Sequence, residues 1–516
     1  MKNRFVVGAL LAAFLFFVSP LTAAAQNGDT DMEAVTVDEG LEIIHPLIEK
    51  AMRESGTPGM SLVVVTPEET VFRNYGYADR EQETAADSST LFELGSMSKA
   101  FTALGILLLE QEGKLGLDDD IREYIPWLAL QFNGNYKGQK IDGEVPLTVG
   151  NFLYQTTGIP FDTVGYIPIG NGDTLLEDTV RTLIGTELDF YPGTRHLYAT
   201  INYDVLGLVI QNVSGQSYEK FIETRILEPL GLTSTYVGRR NSYDGAVLAK
   251  GYKPHFYGTE EYDAPEYRGN TPAGYIISST EDMARWMRIQ MGLEPIPESY
   301  RALIEKSHVG NSTVASSGDY YYAAGWSVHI RGEAVTHGGS NPNYSSELMI
   351  DEEKQIGLCA LSNLDSNLTS YVSQNFFNAL YHREPTSYQR DSYKSLDMVF
   401  STVFFGSIGL GVFYFVLLIL AVIEIARKHR KRVKLKKGRV AGLLLAVPIL
   451  VFFGYCVYYL PNILFSRLPW EAVTVWGSES IPYGSMAGFF AGLLFFSYVL
   501  LTFNFPKPNE KNYVAL

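Results

Sequence analysis

Apolar and polar positions change rhythm several times along this chain, and each rhythm predicts an element. Residues 60–65 and 70–75 are two strand-like runs joined by Thr66-Pro67-Glu68-Glu69, which predicts an antiparallel hairpin. Residues 98–112 are apolar on almost every side (Ala100, Phe101, Leu104, Ile106, Leu107, Leu108, Leu109) and stop at Gly113, the pattern of a deeply buried helix with a glycine end. Further helices are predicted over 202–213, 218–226 and 279–291, the last opened by the cap-like Ser279-Thr280-Glu281-Asp282. Short β-like runs follow at turn spacing over 323–330, 334–337, 345–350 and 356–361, with a closing helix over 371–381. Strands at both ends with helices between them predict one sheet built from both ends, with a helical lobe inserted.

Beyond about residue 398 the rhythm becomes continuous. Apolar runs at 399–423, 440–460 and 484–503 are each long enough to cross a bilayer and show few polar positions at helical spacing. They predict an all-α domain, 399–516, with three transmembrane helices over 399–426, 440–461 and 484–504. Residues 427–439 hold nine Lys/Arg and no acid, which places this block in the cytoplasm, and with it the tail bearing Lys507 and Lys511. Trp470 and Trp476 fall in the outer loop. The first 25 residues have Lys2 and Arg4, an apolar core and Ala23-Ala24-Ala25, the make-up of a signal peptide. The expected organisation is signal peptide 1–25, extracytoplasmic domain 36–385, linker 386–398 and membrane domain 399–516. The expected location is the cytoplasmic (inner) membrane, with the domain on its outer face.

Charge and cysteines narrow the functions. The chain carries a formal −16 in spite of its basic block, so the exported part is strongly acidic, which argues against nucleic-acid binding. The two cysteines, Cys359 and Cys456, lie in different parts and predict no disulfide. The eight histidines show no metal-ligand spacing, and no metal or cofactor is expected.

Three motifs carry chemistry. Ser96-Met97-Ser98-Lys99 opens the buried helix, so the hydroxyl and the amine lie one turn apart on one face. A desolvated Lys99 can take the Ser96 proton, and the helix N-terminus favours an oxyanion. The same spacing recurs at Ser217-Tyr218-Glu219-Lys220, on what reads as an ordinary amphipathic helix. What distinguishes the first copy is Gly95 before it and a lysine whose burial without a task would be costly. The second motif is the turn Pro192-Gly193 and the loop it sends to Tyr198, a possible proton relay beside Lys99 or simply a packed aromatic, one of 33 tyrosines. The third is Thr336-His337-Gly338-Gly339-Ser340-Asn341-Pro342-Asn343, in which two glycines at a strand allow a substrate backbone to approach, or form only a hairpin turn.

In this order the three motifs resemble the class C β-lactamase and penicillin-binding-protein family of serine hydrolases. The resemblance spans about 39–383 and includes "LFELGSMSKAFTALGILLLEQEGKL", "FLYQTTGIP", "PAGYIISSTEDMARW" and "HGGSNPNYSS". It implies an α+β, β-lactamase-like fold: an antiparallel sheet flanked by helices plus a helical lobe. It implies Ser96 as acyl-enzyme nucleophile, Lys99 and Tyr198 sharing general-base and general-acid work, and His337 where the family's third-motif cation usually stands. It also implies oxyanion donors on the N–H groups of Ser96 and Ser340, beside Gly339. One position departs from the family: Thr200 stands where its Tyr-x-Asn motif has Asn.

Thr200, "NYDVLGLVIQNVSG" and the three expected membrane helices are similar to a narrower group, the prodrug-activating peptidases of which the colibactin-maturing enzyme is a member. That resemblance implies cleavage of an N-acyl-D-asparagine cap from a secreted non-ribosomal peptide–polyketide precursor, with Thr200 and Asn341 or Asn343 lining the asparagine pocket. The implied partners are this acylated peptide prodrug and the lipid bilayer. The rival expectation is a cell-wall D-Ala-directed peptidase or esterase of the same family.

Overall fold

A computed structural model describes residues 35–432 and 437–507, of which 437–447 as backbone only. The expected signal peptide, part of the basic block and Lys511 lie outside the described residues. The chain divides into two units: one holds the described residues up to Lys253 together with Glu260–Asp391, the other Pro254–Thr259 together with the residues from Ser392 onward.

The first unit is built on a nine-stranded sheet, whose strands are labelled here in chain order. β1 (Gly59–Val65), β2 (Thr70–Asp79) and β3 (Thr84–Ala85) come from its beginning. β4 (Ala315–Ser317), β5 (Tyr320–Tyr322), β6 (Ser327–His329), β7 (Ala334–Asn341), β8 (Tyr344–Asp351) and β9 (Ile356–Ser362) come from its end. The order is β4-β5-β6-β7-β8-β9-β1-β2-β3, and the two halves join where β1 runs antiparallel to β9, Met60 opposite Ser362 and Val65 opposite Gly357. β1 is buried throughout, as a central strand covered on both faces must be.

One face is covered by α1 (Val37–Ser55) and the closing helix Leu368–Leu380, which bury Leu41, Ile44, Ile48, Phe376 and Phe377 against Leu62, Val64, Leu358 and Ala360. The other face carries the main core. Here α2 (Ser98–Gln111) buries every residue from Ser98 to Leu109, and α3 (Ile201–Ser214) buries every residue from Ile201 to Ile210. The helix Thr280–Gln290 packs beside them, capped by the Ser279 hydroxyl, which accepts from the N–H of Asp282. A small sheet of Leu91–Glu93, Ile276–Ser279 and Tyr236–Val237, invisible to periodicity, leads directly into the nucleophile turn.

In the second unit two helices among the described residues are long and apolar enough to cross a membrane: Ser392–Ala426 and Ser480–Asn504. The second predicted span corresponds to the continuous helix Lys437–Tyr458, which contains Pro448 and whose side chains are described only from Pro448 to Tyr458. Two helices of sufficient length and apolarity, not clearly three, are therefore present among the described residues. The first helix also begins inside the stretch expected as linker. Lys394 and Asp397 are buried there: Lys394 donates to the carbonyls of Tyr257 (2.9 Å) and Gly258 (2.7 Å), and Asp397 accepts from Ser478 (2.6 Å) and the Tyr257 N–H (2.9 Å). Cys359 is buried, Cys456 exposed, and both are free.

Gly207 shows how tightly α3 meets the segment Asn270–Gly274. A Cβ there would stand 2.3 Å from Cγ of Pro272. Gly207→Ala gains about 1 kcal/mol of helix propensity but forces Pro272 outward, at a cost of about 1–3 kcal/mol. A lowered melting temperature of the detergent-solubilised protein is the expected outcome; an unchanged or raised one would show that the segment can yield.

Candidate active site

Ser96 sits in a single 3₁₀ turn, Gly95–Met97, that feeds α2. Gly95 has φ +52°, and a Cβ on it would lie 2.5 Å from the backbone N of Ser340. Only glycine lets the nucleophile turn and β7 come this close, which brings the Ser340 N–H beside the Ser96 turn. The first turn of α2 is fixed to the small sheet, since the Ser98 hydroxyl accepts from the Ile276 N–H at 3.0 Å.

Lys99 is 0 % exposed. Its Nζ lies 3.0 Å from Oγ of Ser96, 3.1 Å from Oγ1 of Thr200 and 2.7 Å from the Ala273 carbonyl. Burial holds its amine down at about 7, against an opposing pull from Asp204. As ammonium it donates to all three. As neutral amine it keeps two donors for Ala273 and Thr200 and turns its lone pair to Ser96, which is the geometry of a general base.

Tyr198 reaches the same point from the loop before α3. Its ring lies 5.0 Å from Lys99 Nζ, and its hydroxyl interacts with Ser96. Burial pushes the phenol well above its usual value, so it is protonated at neutral pH and suited to donate to a leaving group. The loop is pinned by Gln155, held at φ +56°, whose side-chain oxygen accepts from the Ala199 N–H (3.0 Å) and from Asn202 (2.5 Å).

Thr200 also works within this cluster, because its hydroxyl accepts from Lys99. His337 does not supply a cation. Burial and the charge of Lys99 push its imidazole down to about 3, while Nδ1 meets the Gly338 carbonyl at 2.6 Å and Nε2 meets the Tyr322 hydroxyl at 3.3 Å. Donation from Nδ1–H to that carbonyl leaves Nε2 to accept from Tyr322. His337 thus occupies the third-motif position on β7, where burial favours the neutral imidazole.

Gly339 lies against the Leu94 carbonyl, and a Cβ there would be 2.0 Å from that oxygen. Ser340 donates its hydroxyl to Asp365 at 2.9 Å. Asn341 and Asn343 are both buried. The Asn341 amide donates to Glu93 (2.6 Å) and to the Gly274 carbonyl (2.9 Å), and the Asn343 amide to the Tyr262 carbonyl (2.8 Å). Only the amide nitrogens are so engaged: Oδ1 of Asn343 is buried without a hydrogen-bond partner among the described residues. Asn341 ties β7 to the segment that holds Lys99.

Several residues at the site carried no recognisable signal in the sequence. Glu93, buried, joins Arg239 (2.7 Å) to Asn341. Tyr322 links His337 to the rings of Tyr198 and His196. Asp204, Asn270 and Asp365 are the others. The only local hint was Asn270 just ahead of the Pro-Ala-Gly turn. The second Ser-x-x-Lys is a helix cap: Ser217 accepts from the Lys220 N–H at 3.2 Å.

A serine activated by a buried lysine, with a tyrosine acid and a backbone N–H beside it, on this mixed fold, defines a serine hydrolase acting through an acyl-enzyme. The Beta-lactamase family matches residues 44–383, and the chain belongs to it. Protein flp of Staphylococcus aureus strain MRSA252 is 30% identical over 443 residues, 84% of this chain and 85% of its own. A putative D-alanyl-D-alanine carboxypeptidase of Escherichia coli K12 is 30% identical over 233 residues, 43% of this chain and 50% of that one. The octameric penicillin-binding protein homologue from Pyrococcus abyssi superposes with a TM-score of 0.56 at 25% identity, covering 70% of this chain and 82% of its own.

Because Lys99 must be neutral to accept the Ser96 proton, kcat/KM is expected to climb as pH rises through about 7. Ser96→Ala should abolish labelling by a fluorophosphonate, and Tyr198→Phe should cost on the order of a hundredfold in turnover. Ser217→Ala should leave activity unchanged and cost about 0.5–2 kcal/mol of stability as a lost cap. A flat profile below pH 7, or labelling that follows Ser217, would contradict the assignment.

Proposed function

We propose that this chain is a membrane-anchored, extracytoplasmic serine peptidase that hydrolyses the amide of an N-acyl-D-asparagine and so releases an active product from an acylated peptide prodrug. The observation that carries this reading is Thr200. A hydroxyl replaces the family's amide beside the lysine and, bonded to Nζ at 3.1 Å, keeps the lysine contact with a shorter side chain. The space so gained suits a substrate that brings its own side-chain amide. The resemblance to prodrug-activating peptidases supplies the D configuration and the acyl chain, and the two apolar helices suit a lipid-bearing substrate arriving from the bilayer. The amide nitrogens of Asn341 and Asn343 are engaged elsewhere, so partners for the asparagine side chain are sought at Thr200, on the backbone of β7 and at the unpaired Oδ1 of Asn343.

A second reading, a D-Ala-directed peptidase or esterase, is favoured by the Escherichia coli relative, whose name states that substrate class. The two separate in one assay of the full-length protein in detergent. N-myristoyl-D-Asn amides are offered beside the L-Asn, D-Ala and D-Leu forms, with a D-Ala-D-Ala peptide as control. A buried unpaired amide costs about 1–3 kcal/mol, so a site that pairs it should prefer D-Asn over D-Leu by roughly tenfold or more. Cleavage of D-Ala-D-Ala without cleavage of the D-Asn amide would establish the second reading instead.

A further inference from the structure

Around Lys99 the fold places a second ionisable group that the acyl-enzyme chemistry has not yet used. Thr200 and Asp204 are four residues apart on one helical face, so the hydroxyl that bonds Lys99 and the carboxylate one turn further point the same way. Asp204 is 0 % exposed. Its Oδ2 accepts from Asn270 at 2.6 Å, while its Oδ1 is buried without a hydrogen-bond partner. Asn270 opens the segment that returns to Lys99: the Pro272 carbonyl accepts from Thr102 (2.6 Å), one turn beyond the lysine, and the Ala273 carbonyl accepts from Lys99 itself. Lysine and aspartate are thus clamped from two sides by the same α2, α3 and Asn270–Gly274 framework.

A fully buried carboxylate with one oxygen unpaired is costly and persists only beside a compensating charge or as the protonated acid. The titratable groups facing Asp204 are Lys99 on α2, Tyr198 ahead of α3, Tyr218 on the following helix and Tyr275 after the segment. All three phenols are pushed up by burial, so among the described residues Lys99 is the group facing Asp204 that carries charge near neutral pH. Burial drives the two partners in opposite senses, the carboxyl up and the amine down, while each one's charge favours the charged form of the other.

We infer that Asp204 is a positioning residue of the catalytic apparatus, the buried counter-charge that sets the basicity of Lys99. When Ser96 attacks, its proton passes to the lone pair of Lys99 as the Ser96 oxygen bonds the substrate carbonyl carbon. The ammonium so formed is shielded from bulk solvent, and Asp204 stabilises it. The proton then leaves Lys99 for the departing group, by way of the Tyr198 hydroxyl. Asp204 exchanges no bond with substrate, and its influence is confined to the lysine. Lysine and aspartate titrate as one coupled pair, in two steps that belong to both.

The test measures the rate constant for fluorophosphonate labelling of Ser96 in the full-length protein from pH 5 to 10, a readout that needs no knowledge of the natural substrate. In wild type the rise with pH should extend over two proton steps. In Asp204→Asn, isosteric and still able to accept from Asn270, it should collapse to one step lying about one pH unit lower. The plateau should fall by roughly tenfold as the weakened base loses driving force. Asp204→Glu, which keeps the charge, should retain the wild-type form. A plateau that falls with the pH dependence unmoved would reduce Asp204 to a packing residue and overturn the inference. Should the variants fail to fold, wild type alone decides, since a single step of unit slope across the whole range is incompatible with a coupled pair.

Discussion

Everything at this site follows from holding a primary amine out of water. A lysine at the start of an apolar helix, shielded from bulk solvent and with no paired carboxylate oxygen on its Nζ, cannot remain a comfortable cation, and its basicity falls into the range where it can exchange protons. The surroundings then need to satisfy two N–H groups and leave one lone pair, and the Ala273 carbonyl, the Thr200 hydroxyl and Ser96 fill those three directions. The glycines serve the same requirement at a distance. Gly95 lets β7 close on the nucleophile, and Gly207 lets α3 close on the segment that supplies the carbonyl.

That segment, Asn270–Gly274, is where the architecture converges. In five residues it bonds Asp204, Thr102, Lys99 and Asn341, so it contacts both core helices and the strand that carries Ser340. Its own secondary structure is slight, a 3₁₀ turn and one turn of α-helix. Backbone carbonyls do most of its work, and a carbonyl is the same in every residue type.

This explains which parts of the molecule could be read in advance. The hairpin of β1 and β2, the buried α2 and α3 and the strands β7, β8 and β9 follow from periodicity, because burial imposes a pattern on residues near in sequence, whereas β4 and β5 showed none and the run expected over 323–330 is a turn that leads into β6. Ser96 and Lys99 were legible for the same reason: their relation is one helical turn. Asp204 was printed within the sequence of α3, yet an acid in a helix reads as a solvated face until its depth is known. Asn341 and Asn343 were legible only in part, for polar residues at a glycine-rich turn read as ligand-facing, and only the structure shows their amide nitrogens turned to Glu93, Gly274 and Tyr262. His337 kept the family's place in the third motif, but its charge depends on burial, which no local pattern encodes. In the membrane unit, composition marked the apolar runs but not the polar residues Lys394 and Asp397, with which the helix extends upstream.

The pairing of β1 with β9 has a consequence for how the protein comes into being. β1 must wait for a partner that lies roughly three hundred residues further along the chain, so the sheet cannot close until nearly all of the domain has been synthesised. Contact order this high makes for slow folding and leaves a largely apolar strand with a bare edge in the interval. If the domain is exported as a chain, it completes its sheet only after β9 has crossed, shortly before Ser392 begins the first apolar helix. Folding and membrane insertion then fall close together in time, and a chaperone that shields β1 until that moment would act on an aggregation-prone stretch of the nascent enzyme.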